Sequence, residues 1–110
     1  MVTIEQFRDI ALSLPGVEEG TSYGTLAFRV GKKFLVRVRE DNESLALKIG
    51  FDLRDLLLAA DPKVFFTTDH YRGYPTVLVH LETIDAGRLR EVLTDAWRRL
   101  APKKLVTQQH

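Results

Sequence analysis

The feature that most constrains this chain is a period-two alternation of apolar and polar residues through much of positions 26–49. Leu26, Phe28 and Val30 alternate with Ala27 and Arg29; Phe34, Val36 and Val38 with Leu35, Arg37 and Arg39; and Leu45, Leu47 and Ile49 with Ala46 and Lys48. Successive side chains on a strand point to opposite faces, so each segment requires one covered face and one face in water. A parallel sheet buried on both faces would read as continuous apolar runs, so the pattern predicts three antiparallel strands. Gly31-Lys32, with glycine first, predicts a two-residue type II′ turn closing the first hairpin, and Glu40-Asp41-Asn42-Glu43 reads as a longer polar turn.

The cover for that sheet is read from the flanking segments. Thr3 followed by Gln6 matches a capping box, and Ile4, Phe7, Ala11 and Leu14 recur at helical spacing until Pro15-Gly16. Val17 to Gly24 shows no periodicity and reads as a loop. Asp52 is placed to cap a short helix with Leu53, Leu56, Leu57 and Ala60 inward, and Asp61-Pro62 ends it, because a residue before proline disfavours helical geometry. Val64 to Thr68 and Thr76 to Leu81 read as two further strands. Asp85 caps the longest helix, whose Leu89, Val92, Leu93, Ala96, Trp97 and Leu100 form a broad apolar stripe ending at Ala101-Pro102. The predicted fold class is α+β: an antiparallel sheet of about five strands in the order α-β-β-β-α-β-β-α, with the helices on one face.

With 110 residues, of which 45% are hydrophobic, the chain suits a single domain spanning 1–110. Cysteine is absent, which excludes disulfides, thiolate metal sites and thiol nucleophiles. The opening Met-Val-Thr-Ile-Glu-Gln lacks the basic patch and apolar run of an export signal, and Leu56 to Ala60 and Val77 to Val79 are far shorter than a membrane span. The expectation is a cytoplasmic protein without a membrane partner.

Candidate chemistry is sparse. His70, His80 and His110 lie in a loop, a strand and the C-terminus without metal-ligand spacing. Glu18-Glu19 and Glu40 to Glu43 lack the register of a calcium loop and read as solvated charge. Ser13, Ser22 and Ser44 have no nucleophile-elbow context, and the glycines fall at turns rather than in a phosphate-binding loop. Trp97, at helical spacing between Leu93 and Leu100, reads as core. The chain is therefore expected not to be an enzyme and to need neither cofactor nor metal. An enzymatic alternative would use His70 or His80 as a base beside Tyr23 or Tyr71.

One arrangement stands above this background. If Phe28, Val36 and Leu47 point inward, period two sends Arg29, Arg37, Arg39 and Lys48 to the opposite face. Lys32 and Lys33 sit at a hairpin tip, and Arg72 lies between Tyr71 and Tyr74 in the later loop. Such a surface fits phosphate contact by the cations and stacking or insertion by Tyr71. The competing explanation is an exposed sheet face using Lys and Arg for solubility and edge protection. The net charge of +1, from 16 basic and 15 acidic residues, makes charge placement rather than bulk attraction the deciding matter. A further alternative is a protein-interaction or small-ligand module built on the His70 to Pro75 loop.

At Leu12-Ser13-Leu14-Pro15-Gly16-Val17-Glu18, Phe28-Arg29-Val30-Gly31-Lys32-Lys33-Phe34, Leu47-Lys48-Ile49 and His70-Tyr71-Arg72-Gly73-Tyr74-Pro75-Thr76-Val77, the chain resembles the MmcQ/YjbR family of small bacterial proteins. The resemblance covers nearly the whole chain. It implies a CyaY-like α/β sandwich and a DNA-binding role through winged hairpins, and supplies no catalytic residues to transfer. Tyr74 or Pro75 stands where some relatives have Trp. Frataxin-type proteins of related fold bind iron through an acidic first helix, which here holds only Glu5 and Asp9, so iron binding is not expected.

Overall fold

The computed structural model describes residues 1–107; the His110 of the sequence reading lies outside the described residues. The elements are α1 (Ile4–Leu12), β1 (Val17–Ser22), β2 (Thr25–Val30), β3 (Lys33–Val38), β4 (Ser44–Lys48), α2 (Phe51–Ala60), β5 (Phe65–Phe66), β6 (Thr76–His80), α3 (Ala86–Leu100) and the short α4 (Lys103–Val106). Six strands form one antiparallel sheet in the order β1-β2-β3-β4-β6-β5, so the α+β expectation holds with one more strand than the five read from sequence. No helix is long and apolar enough to cross a membrane among the described residues.

The helix signals act as their chemistry requires. Thr3 Oγ1 accepts from the Gln6 backbone N–H at 3.0 Å while Gln6 Oε1 accepts from the Thr3 N–H at 2.9 Å, closing the capping box. Asp85 accepts from the Arg88 N–H at 2.7 Å and starts α3. The apolar faces of α1 and α3 bury Phe7, Ile10 and Ala11, and Leu89, Val92, Leu93, Ala96 and Trp97, against one sheet face. From that face come Phe28, Val36, Val38, Leu45, Leu47, Val77 and Val79. Phe7 meets Phe28 edge to face, with ring centroids 5.3 Å apart.

Four local expectations are corrected. Val17–Ser22 is an edge strand, not a loop; it turns into β2 through Tyr23 and Gly24, both at positive φ (53° and 79°), as a type I′ turn requires. The hairpin at Gly31-Lys32 is therefore the second, and it too has positive φ at both positions (57° and 68°), giving type I′ rather than II′. The α2 helix begins after Gly50, which caps it without a side chain, so Asp52 sits inside the first turn; Leu57 is buried while Leu56 and Ala60 are exposed. The strand read over Val64 to Thr68 contracts to Phe65–Phe66. Since a Cβ at positive φ meets backbone strain, Gly31→Ala is expected to lower stability by about 1–2 kcal/mol in urea denaturation.

The change that matters for function is a β-bulge. Pairing of β2 with β3 shifts between Phe28 and Arg29: Phe28 faces Val36, but Arg29 faces Phe34, leaving Leu35 as the extra residue. Leu35 is fully buried in the core cluster, and Phe34 turns to the other face beside Arg29. Strict alternation through Phe34, Val36 and Val38 predicted the reverse.

Candidate functional site

The sheet face away from the helices carries a row across the strands: Ala27, Arg37, Ala46, Leu78 and Phe66 are successive cross-strand neighbours. The small alanines make a low floor. Residues 67–75, which connect β5 to β6, fold back beside this row, and the β1–β2 turn rises on the other side. Between them lies a groove of about 410 Å³, with Ser22 and Tyr23 as one wall, His70, Tyr71 and Tyr74 as the other, and Arg29, Phe34, Arg37, Ala46 and Thr76 beneath. That volume falls in the range of small-ligand sites, roughly 300–1,000 Å³.

Arg37 is the structural centre of the groove and is only 7% exposed. Its Nη2 donates to the Tyr71 hydroxyl at 2.8 Å, and its Nη1 donates to Glu40 Oε1 at 3.1 Å, the Val38 carbonyl at 3.3 Å and Thr25 Oγ1 at 3.4 Å. The guanidinium also lies 5.3 Å from the Tyr23 ring centroid. Burial acts to lower its pKa, but the hydrogen bond to Tyr71 and the attraction of Tyr71 and Glu40 outweigh burial and hold it above its ordinary value. Glu40 is held below the usual carboxylate range by a backbone hydrogen bond first and by Arg37 second.

Arg39 stands at the far end. It donates to Ser44 Oγ at 3.1 Å, lies 3.7 Å from Asp41, and sits 5.8 and 5.9 Å from the ring centroids of Phe66 and Tyr71. Asp41 in turn accepts from the Glu43 N–H, the Ser44 N–H and the Ser44 hydroxyl. Those contacts, with Arg39, overcome the raising effect of burial and lower the Asp41 pKa. The acids of the 40–43 turn, which the sequence places off the face, thus reach back to Arg37 and Arg39.

The loop wall is fixed from two sides. Tyr71 is tied to Arg37, and Arg54 of α2 donates from Nη1 to the carbonyls of Arg72 at 2.7 Å and Tyr74 at 2.8 Å. The rings of His70, Tyr71 and Tyr74 pack on one another, with centroids 4.9–6.4 Å apart. His80 lies flat on Phe66, 3.9 Å between centroids, and is not part of the groove.

The remaining cations of the sequence reading separate into two groups. Arg72 pairs with Asp69 at 2.9 Å on the loop rim, 73% exposed. Arg29, Lys32, Lys33 and Lys48 lie at the other end of the sheet, where β2 ends, β3 begins and β4 ends, and none is within ion-pair distance of a carboxylate among the described residues. Glu18 is the direct cross-strand neighbour of Arg29 without closing a salt bridge, and Glu19 is held by Arg8 at 2.7 Å. Lys48 follows Ala46 on the groove face, opposite Thr76. Sequence reasoning missed Phe34 and Tyr23 as groove residues and Arg54 as a clamp. The Tyr23-Gly24 pair, two residues between equal runs, was the signal for the first hairpin.

The class of protein is thus an antiparallel sheet covered by helices on one face, with an arginine-centred aromatic groove on the other. The YjbR family model matches residues 12–99, and the chain belongs to the YjbR family. Uncharacterized protein Rv2570 of Mycobacterium tuberculosis is 34% identical over 116 aligned residues, covering 89% of this chain and 90% of that protein. Uncharacterized protein Mb2600 of Mycobacterium bovis matches with the same 34% identity and coverage. Among solved structures, Deinococcus radiodurans protein DR2400, with the domain DUF419, superimposes with a TM-score of 0.71 at 25% identity, over 88% of this chain and 77% of that one.

Proposed function

We propose that this protein is a non-enzymatic nucleic-acid-binding module of the YjbR type, which holds DNA phosphates through cations at the mouth of the groove. The observation that carries this reading is the gathering of Arg29, Lys32 and Lys48, unpaired among the described residues, beside a groove lined with aromatic rings, whereas Lys33, opposite buried Val30, projects from the helix-covered face. Cations already tied to carboxylates gain little from a phosphate, whereas solvated ones release condensed counterions when they replace them. Arg37, beneath the groove, and Arg39, at its far end, accordingly serve as structure, and Arg72, paired with Asp69 on the loop rim, is expected to add little.

Anisotropy titration of a short labelled DNA at low and physiological salt tests this. Affinity is expected to fall steeply with salt, by a log–log slope of about 0.7–0.9 per phosphate contact. Lys48→Ala is expected to reduce that slope by about one, whereas Arg98→Ala, on exposed α3 surface, leaves it unchanged. Absence of salt-dependent binding by the unaltered protein defeats the proposal.

A further inference from the structure

Resting on the reading of this surface as a nucleic-acid site, we infer that the groove takes one unpaired base, so that the protein selects single strands over duplex. Tyr71 is half-buried and fixed through its hydroxyl to buried Arg37 at 2.8 Å, and Phe34 is half-buried at the groove floor by virtue of the bulge. Side chains that kink a duplex act as protruding wedges between base steps. Tyr23 stands out at the rim, 86% exposed, but Phe34 and Tyr71 are recessed, and a base must come to them.

In a duplex both faces of every base are occupied by stacking, so entry into the groove requires extrusion, at a few kcal/mol. A single strand offers base faces without that penalty. The volume of about 410 Å³ suits one base with part of its sugar. The unpaired cations fix the direction of the strand. Arg29 lines the groove itself, Lys32 shares with it a second depression that Glu18 and Glu19 also line, and Lys48 stands opposite Thr76 of the groove. A base seated on Ala46 between Tyr23 and Tyr71 therefore leads its phosphates toward that end of the sheet, away from Glu40 and Asp41.

The polar groups that would meet the base edge are also in place. Of the guanidinium N–H groups of Arg37, Nε and the second Nη2 hydrogen have no protein acceptor, and Ser22 and Thr76 line the same groove. These suit ring carbonyls and ring nitrogens of a base.

The test uses the full chain with a short DNA strand carrying one central 2-aminopurine, free and annealed to its complement. The single strand is expected to bind at least about tenfold more tightly at low salt, with 2-aminopurine emission quenched by stacking. Base–aromatic stacking contributes about 1–3 kcal/mol per base, so Phe34→Ala and the exposed-site variant Tyr23→Ala are each expected to weaken single-strand binding about 5- to 150-fold. Their salt slopes stay unchanged, because no phosphate contact is removed. Duplex bound as tightly as the single strand, or 2-aminopurine emission unaltered on binding, overturns the base pocket while a slope sensitive to Lys48→Ala keeps the phosphate surface. Binding of neither form at low salt overturns both.

Discussion

Replacing Trp97 with alanine is expected to remove about 3–5 kcal/mol of folding stability, a large part of the roughly 5–15 kcal/mol that holds a domain of this kind together. Trp97 is fully buried on α3, and its indole N–H donates to the Pro15 carbonyl at 2.8 Å. It therefore fills the layer between helices and sheet and also fastens the turn that leads from α1 into β1. Truncation leaves a cavity and an unpaired carbonyl at once. Trp97→Phe separates the two effects, since it retains most of the ring volume while losing the hydrogen bond, and a smaller loss is expected. Urea denaturation followed by far-ultraviolet circular dichroism measures both; the chain has a single Trp, so tryptophan fluorescence cannot follow variants that lack it.

Core residues of this kind were legible because their cause is local. The stripe through Leu93, Trp97 and Leu100 is a property of one helix, and the capping box at Thr3 needs only its own four residues. Alternation in β2 and β4 was equally plain, since one face of each meets helices. What escaped was set by partners distant in sequence. Val17–Ser22 lies at the sheet edge with β2 on one side only, so Glu18, Glu19 and Thr21 are exposed and burial imposes no alternation on them. The bulge at Leu35 was hidden for a related reason. Leu35 and Phe34 are both apolar, and either could face the core; the register with Phe28 and Arg29 decides between them. In α2, Leu57 is buried and Leu53 and Leu58 pack half-buried against the core, so the inward positions expected at Leu56 and Ala60 reflected composition rather than contact.

The candidate site divides along the same line. Period two located Arg29, Arg37 and Lys48 on the face opposite the helices, and the structure places them there. Residue type alone does not separate an arginine that holds structure from one that meets a ligand. That difference rests on Glu40 and Tyr71 reaching Arg37, one three residues away and the other 34. Arg54 was silent for the same reason: its acceptors are backbone carbonyls 18 and 20 residues on, which no side-chain pattern announces.

Arg37 and Tyr71 are expected to behave as one unit, and their double-mutant cycle tells wall from contact. Tyr71→Phe removes only the hydroxyl and is expected to cost about 1.5–3 kcal/mol, the value of a hydrogen bond to a charged group. Arg37→Met keeps the stem but leaves the half-buried hydroxyls of Tyr71 and Thr25 short of a partner, so a loss of at least similar size is expected. The two losses should fall short of additivity by about 1 kcal/mol or more, since each variant breaks the same bond. Chemical denaturation of the four proteins gives that coupling. DNA titration then adds a separate readout. A guanidinium only 7% exposed and already paired with Glu40 has little to offer a phosphate, so Arg37→Met is expected to weaken binding without changing its salt slope. Lys48→Ala should do the opposite, lowering the slope by about one while leaving stability nearly unchanged. A lowered slope for Arg37→Met would instead make Arg37 a phosphate ligand, and the aromatic groove would then lie along the path of the backbone rather than beside it.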